Sequence, residues 1–119
     1  MSNDVINENI LNSIKRLLGI HPDITSFDQD VLLHINSVFS ILAQVGVGPE
    51  TGFTVNTDTN WTDFLSNLED PQLYADVKTF VYLKVKLMFD PPTSSTVMDS
   101  FERNIKEIEY RLYTQSGGY

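Results

Sequence analysis

Val81-Tyr82-Leu83-Lys84-Val85-Lys86-Leu87-Met88-Phe89-Asp90-Pro91-Pro92-Thr93-Ser94-Ser95-Thr96, followed by Phe101-Glu102-Arg103-Asn104-Ile105-Lys106-Glu107-Ile108-Glu109-Tyr110-Arg111-Leu112, decides how this chain folds. An apolar run stops at two prolines, which remove backbone donors and push Asp90 out of the helical region. A hydroxyl-rich restart follows. Thr96-Val97-Met98-Asp99 offers the spacing of a capping box, with Ser94 or Ser95 as alternative caps. Met98, Phe101, Ile105, Ile108 and Leu112 then recur at three, four, three and four residues, the apolar stripe of an amphipathic helix. Glu102 with Lys106 and Glu107 with Arg111 are expected pairs four residues apart, each worth roughly 0.3 kcal/mol. The stretch predicts an antiparallel helix pair, and nothing in it is catalytic.

Upstream, Asp70-Pro71 starts the first of these two helices, with aspartate as cap and proline at the first helical position. From there to about Phe89 the apolar positions Leu73, Tyr74, Val77, Phe80, Val81, Leu83, Val85, Leu87 and Met88 cover most of the circumference. Only Asp76, Lys78, Thr79, Lys84 and Lys86 break it, so this is the expected central helix. Before it lies a short helix, about Trp61 to Leu68, with Trp61, Phe64, Leu65 and Leu68 on one face. Ser26-Phe27-Asp28-Gln29 has capping-box spacing, and Val31, Ile35, Val38, Leu42 and Val45 make the stripe of a buried helix from about Phe27 to Val45. Gly46 and Gly48-Pro49 end it. The first helix is expected from about Asp4 to Leu18: Ile6, Ile10, Ile14 and Leu17 form its stripe and Asn3 its cap. Asp4 and Glu8 suit the positive end of the helix dipole, and Lys15 and Arg16 the negative end. Gly19 and His21-Pro22 stop it.

The fold class is therefore all-α, a small bundle of four to five helices. Its exception is a long, partly extended loop between the second helix and the short third one. Phe53-Thr54-Val55-Asn56-Thr57-Asp58-Thr59 has the β-branched content of an extended segment, with too few apolar positions to hold a sheet. Loops of this length in compact domains are uncommon and often functional, so Pro49 to Asn60 is expected to project. Residues 1–113 form one domain and residues 114–119, with Gly117-Gly118, a flexible tail.

Composition narrows the function. The 119 residues suit one domain large enough to bury a core unaided. The absence of cysteine excludes disulfides, thiolate nucleophiles and cysteine-ligated metals. No stretch resembles a secretory signal or approaches the roughly 18 apolar residues of a spanning helix, so a soluble, intracellular chain without a membrane partner is expected. A net charge of −8 argues against a dedicated nucleic-acid surface, which needs clustered Lys and Arg. The charge serves solubility, or a surface that must sit beside nucleic acid without sticking to it.

Catalytic and metal patterns are missing. His21 and His34 have no partner at metal-ligand spacing. No nucleophile elbow or phosphate loop exists, and Asn56 to Asn60 lacks the central glycine and terminal glutamate of a calcium loop. An enzyme built on Asp58, Asp63 and His34 has no spacing to support it. No catalytic, cofactor-binding or metal residue is assigned, and no cofactor is expected. Candidate partner or inter-subunit contacts are Glu50, Phe53, Val55 and Asp58 in the loop, and Tyr110, Tyr113 and Tyr119 at the C-terminal end, where aromatics can anchor a partner.

Tyr82 to Pro92 with Asp99 to Leu112 resembles the C-terminal half of the head-tail connector (adaptor) proteins of tailed bacteriophages. Ile10 to Leu18, Gly19-Ile20 and Asp28 to Val45 are similar in layout to the front half. The resemblance runs from about Asp4 to Leu112 and is most specific at Phe89-Asp90-Pro91-Pro92. It implies a structural virion protein of the neck, placed at the head-tail interface after assembly in the host cytoplasm. Such proteins form a ring, often of twelve subunits, under the portal protein. They extend the channel for passing duplex DNA without binding it specifically, and dock a downstream neck or tail protein. The alternative is a small acidic helical adaptor or regulatory protein that binds a single protein partner.

Overall fold

The computed structural model describes residues 8–49, 51–65 and 73–115. Five helices occur there: α1 Ile10–Leu17, α2 Asp28–Gln44, α3 Trp61–Leu65, α4 Leu73–Phe89 and α5 Ser95–Gln115. Among the described residues there is no strand, only an isolated antiparallel bridge between Asn9 and Asn60. The expected all-α bundle is what forms.

Helix ends show where local chemistry decides. Two of them follow the glycine signals: Gly19 (φ 84°) and Gly46 (φ 88°) take the left-handed conformation open to glycine. After α1, the Gly19 and Ile20 N–H groups donate to Arg16 O and Lys15 O at 3.0 and 2.8 Å. After α2, Gly46 and Val47 repeat the pattern on Ala43 O and Leu42 O at 3.1 and 2.9 Å, so both helices close in a Schellman motif.

Other ends correct the sequence reading. α1 begins at Ile10 rather than Asp4, because Asn9 is extended (φ −66°, ψ 132°) and its side chain accepts from the Asn12 N–H. Backbone pairing draws this segment out of the helix: Ile10 N–H donates to Thr59 O and Trp61 N–H to Glu8 O, both at 2.9 Å. The expected Asn3 cap and the Ile6 position lie outside the described residues, as do the Asp70-Pro71 start and the 66–68 end of the short helix. The Ser26–Gln29 capping box does not form. Phe27 is the N-cap and makes no side-chain cap bond, because a turn from Thr25 O to Asp28 N–H sets the entry one residue later. At α5, Ser94 is the alternative that caps, its Oγ accepting from Val97 N–H at 3.3 Å. That helix continues through Gln115, so Thr114 and Gln115 are helical rather than tail.

α2 and α4 run antiparallel at the centre, the start of one meeting the end of the other where the Phe27 and Phe89 rings lie 5.7 Å apart. α5 folds back along α4, fixed at one end by Tyr82 against Phe101 and at the other by Arg111 on Asp76. α1 packs on both central helices. Val31, Ile35, Val38 and Leu42 of α2 meet Val77, Phe80, Val81 and Val85 of α4 in one buried core, to which α1 adds Ile10, Leu11 and Ile14. α5 contributes Ile105, Ile108 and Leu112 from an otherwise solvated surface.

The segment after Gly48 does not project. It lies along α2, with Val55 only 3% exposed and Phe53 half-buried. An extended segment cannot satisfy its own backbone, and here helix side chains do so. Asn36 of α2 accepts from Val55 N–H at 2.7 Å and donates to Val55 O at 3.0 Å, and Asn9 donates to Thr57 O at 2.7 Å. The segment delivers Phe53 and Phe64 against Phe39, and Trp61 fully inside, its Nε1–H donating to Ser13 Oγ at 2.8 Å. Gly48 (φ 95°) lets the chain pass there, since a Cβ would stand 2.8 Å from the Phe64 ring.

Replacing Asn36 by Ala removes both partners of Val55 at once. We expect a loss of about 2 kcal/mol in urea unfolding, in line with stranding buried amide groups. The Val55 amide should exchange with solvent well before the α2 core. An unchanged exchange rate at Val55 would show that the clasp does not hold the segment.

Candidate functional site

The charged side chains are disposed economically. Lys15 is fully buried, its Nζ 2.7 Å from Asp28 Oδ1 and 3.1 Å from Pro22 O. It thereby ties the α1–α2 turn to the first turn of α2, where a carboxylate also suits the helix dipole. Glu8 receives both Arg16 and Lys78, joining the start of α1 to α4. Lys86 pairs with Asp90 at 2.9 Å, and Lys84 lies 5.8 Å from the Phe80 ring centre. Arg111 reaches across to Asp76 with two hydrogen bonds, at 3.0 and 3.3 Å, in place of the expected Glu107 pair. Those bonds, and then the charge of Asp76, raise the Arg111 pKa above its ordinary value, with Glu107 adding a smaller push. Arg103 and Lys106 are left exposed on α5, with no carboxylate at ion-pair distance among the described residues.

The oxygens of the 56–60 turn are likewise engaged. Asn56 Oδ1 accepts from Asp58 N–H and Thr59 Oγ1, and Asp63 accepts from Asn60 N–H at the start of α3. No group of three or more His, Asp or Glu able to hold a metal exists among the described residues. His21 is exposed in its loop, and His34 is half-buried with its ring 6.4 Å from Phe89.

The candidate contact residues separate into two places. Val55 and Phe53 serve the interior of their own chain, while Asp58 is exposed. Tyr110 and Tyr113, 68% and 38% exposed, line a cleft with Val45, Lys106 and Glu109 at the far end of α2. Glu50 and Tyr119 lie outside the described residues. Two open grooves, about 600 and 690 Å³, flank the 51–57 segment on either side of the Asn36–Val55 clasp. Sequence reasoning missed Asn9, Asn36 and Glu8, whose partners lie 48, 19 and 70 residues away and leave no local spacing to read. Lys15 was legible as a charge near a helix end, but not as a buried one.

The described residues form a small all-α bundle whose polar side chains hold its own turns. A family model described as Phage connector protein matches residues 10–119, and the chain belongs to that family. Neither a curated protein sequence nor a solved structure gives a match. The match begins at the first residue of α1 and takes in every described helix, which confirms the resemblance to the connector family. Connector proteins are structural components of the virion that work with other head and tail proteins. No helix among the described residues is long and apolar enough to cross a membrane.

The buried pair gives a stability test. Asp28→Ala leaves the Lys15 ammonium inside without its counter-charge and should cost about 3 kcal/mol. Lys15→Met with Asp28→Ala should recover much of that loss in chemical denaturation. A double variant no more stable than Asp28→Ala alone would contradict this account.

Proposed function

We propose that this chain is the neck adaptor that assembles as a ring on the portal, extends the DNA channel and presents the next neck or tail protein with its docking surface. The observation that carries the reading is the family match over the whole described bundle. The charge supports it: eight more acidic than basic residues, with most cations tied to a carboxylate of the same chain. Lys15, Arg16, Lys84 and Lys86 are four of the cations that would make a channel wall adhesive, and exposed Arg103 and Lys106 belong on a face turned away from the channel. Lys15 is buried, Arg16 and Lys86 are paired, and Lys84 lies over an aromatic ring. A wall of this kind repels duplex DNA and leaves it free to slide. A ring also requires two different contact faces per subunit, and the α5 cleft and the α2 groove are two such faces.

Purified chain mixed with portal rings, or with tailless DNA-filled heads of the same phage, should add a ring-multiple of copies at the portal exit. Negative-stain microscopy and bound mass read this together. No binding to portals that still accept other neck proteins would overturn the proposal in favour of a single-partner adaptor.

A further inference from the structure

We draw no further inference here: the strongest candidate, the cleft between the C-terminal half of α5 and the end of α2 lined by Val45, Lys106, Glu109, Tyr110 and Tyr113, carries charge of both signs, and nothing in the structure shows what covers it.

Discussion

The constraint on which this structure depends is the backbone of an extended segment laid across a helical bundle. Residues 53–60 have no neighbouring strand, so their buried N–H and C=O groups pair with side chains or with the backbone entering α1. Asn36 holds Val55 from both sides, and Asn9 reaches Thr57. The Asn9–Asn60 bridge then sets where α1 begins. From those few bonds follow the burial of Trp61, the packing of Phe39, Phe53 and Phe64, and the need for glycine at position 48. The aromatic end of the core exists because the segment is clasped down. The hydrophobic effect supplies most of the free energy there, but the asparagines choose the path that makes the burial possible.

A second layer of organisation concerns charge. Surface ion pairs contribute little to stability, and those of Arg16, Lys78 and Lys86 are of that kind. Lys15 differs because it is inside, where a lone ammonium is costly and a paired one is tolerated. Its contacts with Pro22 and Asp28 span the α1–α2 turn and hold the entry to α2 in place. Lys15, Lys78 and Arg111, three of the eight basic residues, are thus spent in joining separate elements of the chain. Much of the negative charge stays at the surface.

The sequence made periodic elements legible and non-local ones opaque. α2 and α4 lie within a few residues of expectation, because their apolar stripes and glycine or proline stops are local signals. α5 was readable for the same reason, and its buried residues Ile105, Ile108 and Leu112 come from the quoted stripe. The start of α1 was misread because a helical stripe through Ile6 and Ile10 carries no sign that residues 8–10 pair with 59–61. The loop was misread as projecting because its length suggested a functional excursion and nothing local showed what would hold it down. Its anchors are amides on distant helices. Arg111 illustrates the same limit at the surface: a partner four residues away was visible in the sequence, while Asp76, 35 residues away, makes the stronger geometry. Of the contact candidates, Tyr110 and Asp58 kept their exposure, whereas Val55 became core.

α5 is where fold and function meet. Its 21 residues extend about 31 Å, yet only three are buried, all on the side that faces α4. A helix held by one narrow stripe, the Phe101–Tyr82 contact and the Arg111–Asp76 clamp leaves much of its circumference exposed among the described residues. Its outer face is polar enough to stay solvated, with Tyr110 as an isolated apolar group rather than part of a broad patch. Isolated apolar groups on a charged surface drive association weakly. Their contribution grows when a template holds two copies side by side and makes the encounter effectively intramolecular. On the ring reading proposed above, such a face gains its partners when a template gathers the copies. On that reading, the sparse apolar area of α5 suits assembly on a template better than assembly in free solution.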